Sequence, residues 1–170
     1  MSKRGYYTWV TFLRGWGKYL ILCAVLLIVY MFRKKVTISD KTIPNEVYNL
    51  LRFNGFSDNL AKFATAQSAH ETNAWSSFIY NSNNNAFGMK YAKQPDTIGA
   101  KFGYANYENL AQSVLDYSKW FGRRNGFVFG NIPTWTIVHF VQWLKIQKYY
   151  EDSYESYLRG VEYWYKQLYG

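Results

Sequence analysis

Between Tyr19 and Phe32 the chain runs YLILCAVLLIVYMF, fourteen residues without a charge. A helix that is apolar all round has no face to offer water, so this stretch must be covered by protein or by lipid. At ~1.5 Å per residue it spans roughly 21 Å, short of a ~30 Å hydrocarbon core. Phe12, Leu13 and Trp16 extend it toward the N-terminus, and Lys18 and Arg33 can reach outward along their apolar stems. Tyr6, Tyr7, Trp9 and Trp16 are of the types that favour a membrane–water interface. A cleaved signal peptide needs small residues after the run, where Tyr30-Met31-Phe32-Arg33-Lys34 stands instead. A lipoprotein signal fails as well, because Leu22 rather than a small residue precedes Cys23. The sequence therefore predicts an uncleaved membrane anchor over residues 1–35, with its transmembrane part at 16–33. A linker at 36–43 and a separate domain at 44–170 follow.

Charge agrees with that division. The chain carries +9, from 20 basic and 11 acidic side chains. Residues 1–41 hold 8 basic side chains against Asp40 alone, or +7, which leaves 12 against 10, or +2, for residues 42–170. Nucleic-acid binding needs a basic stripe on a folded surface, and the domain lacks the excess, so no nucleic-acid partner is expected. The partner implied by the N-terminus is a lipid bilayer. Four basic residues precede the run and Arg33, Lys34 and Lys35 follow it, so the positive-inside rule does not set the orientation. One cysteine excludes an intramolecular disulfide, and His70 and His139 are too far apart for a metal motif. No metal or cofactor is expected. Oligomeric state is not readable.

The domain reads as mainly α. Pro44 suits the first turn of a helix ending before Gly55, with Val47, Leu50 and Leu51 on one side. Ser57 is a candidate N-cap for a helix running to Glu71 or Asn73. Residues 81–106 show no helical period and read as loops with room for a small hairpin. Leu110, Val114, Tyr117 and Phe121 make one stripe of a helix over 107–121. Gly122 to Gly130 reads as a loop, and 133–146 as a helix. A last helix starts at Asp152 or Ser153 and places Tyr154, Tyr157, Leu158, Val161, Trp164 and Leu168 at helical spacing, where packing is the expected role.

Glu71 is the residue that carries chemistry. It continues the stripe of Leu60, Phe63, Ala64 and Gln67, near a helix end and ahead of an Asn-rich segment. Partial burial disfavours the charged carboxyl and raises its pKa, as a general acid for a glycosidic oxygen requires. The segment Asn81-Ser82-Asn83-Asn84-Asn85-Ala86-Phe87-Gly88-Met89-Lys90 offers amide groups suited to sugar hydroxyls and acetamido groups, with Gly88 free for a close backbone approach. Tyr149 and Tyr150 precede the last helix and are candidates for stacking on sugar rings. His70 points ~100° away from Glu71 around the helix and reads as a packed histidine.

These residues carry a family resemblance. Ala66-Gln67-Ser68-Ala69-His70-Glu71-Thr72, then Asn85-Ala86-Phe87-Gly88-Met89-Lys90, then Tyr107 with Ser113, Asp116 and Tyr117 resemble the glucosaminidase domain of glycoside hydrolase family 73. That family shows A-Q-x-x-x-E-[ST], N-x-F-G-[IM]-K and Y-x-x-x-x-x-S-x-x-D-Y in this order. Tyr149 to Tyr154 also resembles its closing Y-[AE]-x-D-x-x-Y segment. The H-E-T and N-N-N-A-F-G-M-K forms are most similar to compact versions in Bacteroidetes and the viruses that infect them.

The resemblance implies a lysozyme-like, mainly α fold with a small irregular or β lobe. It implies peptidoglycan as substrate and cleavage between N-acetylglucosamine and N-acetylmuramic acid. Glu71 matches the catalytic glutamate, and Tyr107 the tyrosine that lines the cleft opposite it. Phe87 and Gly88 match the turn at the cleft floor. Gln67, Asn84, Asn85, Tyr104, Tyr149 and Tyr150 are the further expected substrate contacts. Many members carry a second acid between the turn and the tyrosine, where Asp96 is the only one here. Asp96 is thus a candidate water-activating base or nucleophile. The alternatives are help from the substrate's acetamido group, or a lytic transglycosylase reaction with Glu71 as acid and base. A non-catalytic wall-binding membrane protein is the reading from another class. The expected place is outside the cytoplasm on a single-pass anchor, or in a virion membrane, with phage lysis or virion-associated wall opening as its setting.

Overall fold

The computed structural model describes residues 42–126 and 135–170, which fall in the compact unit Ile38–Gly170. The expected membrane anchor at 1–35 lies outside the described residues. Among those described, no helix is long and apolar enough to cross a membrane.

Helix α1, Thr42–Phe53, buries Pro44, Val47 and Leu51. It begins two residues ahead of the expected start at Pro44, inside the expected linker. Its end is a Schellman turn: Gly55 at φ 95° donates to the Arg52 carbonyl and Phe56 to the Leu51 carbonyl. Ser57 then caps α2, Asp58–Thr72, by accepting from the Leu60 amide. Helix α2 buries ten of its fifteen residues, from Leu60 to Thr72. Only a central helix surrounded by others can do so, which explains its run of Ala61, Ala64, Ala66 and Ala69 where neighbours come close.

Asn73, Ala74 and Trp75 follow α2 in left-handed conformations, with φ of 48°, 55° and 58°. Asparagine tolerates that conformation, and for Ala74 and Trp75 it costs roughly 1–2 kcal/mol each. Thr72 and Ser68 hold the turn: Thr72 Oγ1 accepts from the Trp75 amide at 2.9 Å, and Ser68 Oγ from the Trp75 indole at 3.0 Å. The chain then forms α3, Phe78–Asn83, capped by Ser77. The sequence pattern had no period to announce so short a helix.

The small lobe is a hairpin. Strands β1, Gly99–Lys101, and β2, Tyr104–Asn106, pair antiparallel with Lys101 opposite Tyr104. Phe102 (φ 56°) and Gly103 (φ 79°) make its two-residue turn, with the two positive φ values that type I′ geometry demands.

Helix α4, Leu110–Arg124, is capped by Asn109 and runs through Gly122, which was expected to open a loop. Residues 127–134 lie outside the described set. Helix α5, Ile137–Ile146, starts with a capping box between Thr136 and His139. Helix α6, Tyr154–Tyr169, starts at the N-cap Ser153. Helix α2 packs on α6, α1 and α5, and α1 also on α4. The core is strongly aromatic, with Phe56 on Phe121 (5.1 Å) and Phe87 stacked on Tyr117 (3.8 Å, 7°). Among the described residues the fold is mainly helical with one two-stranded sheet, consistent with a lysozyme-like domain.

Candidate active site

Three separated sequence segments fold into one unit around the end of α2. Ala86 is held from both sides: its carbonyl accepts from Ser68 Oγ at 2.6 Å and its amide donates to Ser113 Oγ at 3.0 Å. Phe87 stacks on Tyr117, and the Tyr117 hydroxyl donates to Gln67 Oε1 at 2.6 Å. Helices α2 and α4 thus clamp the Asn85–Lys90 turn. The turn in turn presents Gly88 to Glu71. Gly88 has φ 62°, and a Cβ there would lie 3.1 Å from Glu71 Oε2. Two requirements, a left-handed backbone and an open approach to a carboxylate, single out glycine.

Glu71 lines an open cleft of about 330 Å³, at the small end for a ligand pocket. Gly88, Asn85, Tyr104, Tyr149, Tyr150 and Tyr157 share that lining. Burial pushes the Glu71 carboxyl up from its usual 4.5 to about 7, while a hydrogen bond from the Tyr157 hydroxyl to Oε1 pulls the other way. The last turn of a helix is also the negative end of its dipole, which opposes ionisation further. Oε1 is engaged by Tyr157, so Oε2, beside Gly88, is the oxygen available to carry a transferable proton.

Tyr157 is the site residue that sequence reasoning missed. Its stripe position on α6 read as packing, and the ring is indeed 4% exposed. A buried tyrosine hydroxyl needs a partner. That rule flags the residue, but nothing in sequence names a partner 86 residues away. Tyr150 lies flat against Tyr157 (3.6 Å, 1°) and His70 meets it edge-on (4.9 Å), so the ring is fixed from two directions. Burial lowers the His70 pKa and favours the neutral, packed form. Its ring also occupies the space a side chain at Gly160 would need, so α6 approaches α2 closely there.

Several expected contacts have other work. Tyr107 is 1% exposed and does not line the cleft; its hydroxyl donates to Asp116 Oδ2 at 2.6 Å. Burial raises the Asp116 pKa, and that hydrogen bond offsets part of the rise. Asp96 does not line the cleft either, and both its oxygens accept from Lys119 Nζ, at 2.7 and 2.9 Å. Gln67 and Phe87 are fully buried. Burial raises the Tyr157 pKa, and the neighbouring Gln67 amide, whose Nε2 meets no acceptor in good geometry, offsets a small part of the rise.

Asn85 lines the cleft, but its amide is spent on the turn. Nδ2 donates to the Met89 and Ala105 carbonyls, and Oδ1 accepts from the Met89 amide. Asn84 caps α3 in a left-handed conformation and donates to the Tyr107 and Glu108 carbonyls. Tyr149 and Tyr150 do line the cleft, as wall rather than as open platforms. Tyr149 donates to the Phe87 carbonyl and packs on Trp120 (4.8 Å), and one face of Tyr150 is taken by Tyr157. Glu151 and Asp152 are further acids at the cleft. Glu151 pairs with Lys90 at 3.1 Å, and Asp152 Oδ1 accepts from the Ser153 amide at 2.7 Å.

A family model described as glucosaminidase, mannosyl-glycoprotein endo-beta-N-acetylglucosaminidase, matches residues 56–169. That span is most of the chain and contains every element of the cleft. The chain belongs to glycoside hydrolase family 73. Membership supports a glycoside hydrolase with peptidoglycan as its substrate. No curated protein and no solved structure matched the chain. In family 73 terms, the A-Q-x-x-x-E-[ST] helix is α2, the S-x-x-D-Y helix is α4, and the N-x-F-G-[IM]-K turn is the segment they clamp.

Proposed function

We propose that this domain hydrolyses the β-1,4 bond on the reducing side of N-acetylglucosamine in peptidoglycan, with Glu71 as general acid. The observation that carries the reading is Glu71 itself: a carboxyl at the cleft, with a pKa near 7, one oxygen held by Tyr157 and the other open beside Gly88. Glu71 protonates the glycosidic oxygen as the C1–O bond breaks. With Asp96 neutralised by Lys119 away from the cleft, the substrate's own acetamido oxygen is the group that closes on C1. Water then opens that ring at C1 and gives its proton to the Glu71 carboxylate, which restores the acid. Tyr157 holds the carboxyl in one rotamer through both steps.

The anchored placement belongs to the same proposal. The uncharged run at 19–32 and its basic flanks support a single-pass protein whose domain works outside the cytoplasm or from a virion membrane. The forms of the H-E-T and N-N-N-A-F-G-M-K motifs support a phage lysis or virion setting.

A digest of purified peptidoglycan read by mass spectrometry tests the chemistry. Reducing N-acetylglucosamine ends are expected from the wild type and none from Glu71→Gln. Reducing muramic ends would make it a muramidase, and anhydro-muramic ends a transglycosylase. Turnover by Glu71→Gln would remove Glu71 from the mechanism, and no product from the wild type would leave a wall-binding protein.

A further inference from the structure

Phe78 and Phe102 are 65% and 57% exposed, yet their rings touch, with centroids 4.9 Å apart. They come from different elements, the start of α3 and the hairpin tip. The two elements are tied together: Asn83 Nδ2 donates to the Lys101 carbonyl at 2.8 Å and Lys101 Nζ to the Ser82 carbonyl at 3.1 Å. The pair is therefore a fixed surface. Phe102 also occupies the first turn position of a type I′ hairpin at φ 56°, where asparagine sits without strain and a bulky ring does not. A strained, exposed, paired aromatic does nothing for the core.

Its neighbours say what it serves. Ser77 and Ile79, on either side of Phe78, line the Glu71 cleft, and so does Tyr104, two residues after Phe102. A glycan strand is a linear polymer that a cleft of about 330 Å³ cannot hold whole, so it must leave across an adjoining surface. We infer that the Phe78–Phe102 pair is a stacking platform for a sugar ring of the same strand, outside the cleft. Pyranose rings present C–H faces that lie well on aromatic faces. The inference rests on the glycan-hydrolase reading and adds a preference for long strands.

The test uses full-length Glu71→Gln protein, which retains the cleft without consuming substrate, and compares it with the same protein carrying Phe78→Ala and Phe102→Asn. Binding is measured to purified peptidoglycan sacculi and to the N-acetylglucosamine disaccharide. The expected result is a roughly tenfold loss on sacculi, as two ring contacts warrant, with disaccharide binding unchanged. Thermal stability should hold or rise, since asparagine relieves the turn. Unchanged binding to sacculi overturns the inference. Equal losses on both ligands with a lowered melting temperature would make the pair structural and overturn it too. If the wild type yields no muropeptides but the platform variant still loses sacculus binding, the catalytic reading fails and the platform stands.

Discussion

Glu71→Gln should stabilise the fold, and only where the wild-type carboxyl is ionised. Burial holds the Glu71 pKa near 7 in the folded protein, against 4.5 for a free carboxyl. A group with a raised folded pKa contributes stability that is fully present below its unfolded pKa and is lost as pH rises through the folded one. At pH 4.5 the carboxyl is protonated in the native state and wild type and variant should differ little through this group. By pH 8 the native protein must hold a desolvated carboxylate. A difference of roughly 2.5 units is worth about 3 kcal/mol. A neutral amide escapes that cost and still accepts from Tyr157. Urea unfolding of both proteins at pH 4.5, 6, 7 and 8 measures it. The variant's advantage should grow across that range to about 3 kcal/mol, with most of the growth between pH 5 and 7. An advantage that stays flat with pH would mean that Glu71 is well solvated, and its use as a neutral-pH acid would lose its physical basis.

Three further outcomes follow from the same geometry. Tyr157→Phe removes the bond that favours the Glu71 carboxylate, so the alkaline limb of the pH–rate profile should move up by about one unit, equivalent to a hydrogen bond of ~1.5 kcal/mol; a limb that stays in place would assign it to another group. Asp96→Asn should keep kcat within about threefold, since Lys119 already neutralises Asp96 away from the cleft, and a loss of ~10²-fold or more, the usual size of an acid–base contribution, would return it to the mechanism. Gly88→Ala should destabilise by roughly 1–2 kcal/mol from its left-handed backbone and also depress kcat by crowding Oε2, and a variant with wild-type kinetics and stability would show that the turn yields freely.

What the sequence made legible, and what it hid, follows from the range of the forces involved. Caps and stripes are local, so Ser57, Ser153 and the helices they start can be read directly, and α1, α2, α4 and α6 lie where the pattern put them to within a few residues. Glu71 was legible because its signal is also local: an acid on an apolar stripe at a helix end. The substrate contacts were harder because an asparagine's type does not reveal its partner. Asn84 and Asn85 look like sugar ligands by composition, yet their amides are spent on backbone carbonyls, and for buried Asn85 a carbonyl left without a donor would cost more than a free asparagine at the surface gains. Tyr107 and Tyr157 exchange expected roles for a related reason. Both are buried tyrosines that must satisfy a hydroxyl, and the nearest acid decides the outcome: Asp116 for one and Glu71 for the other. For Tyr157 the partner depends on how α6 crosses α2, and that crossing is permitted by Gly160 lying against His70. A glycine on one helix and a histidine on another thus set the distance on which the chemistry of Glu71 depends.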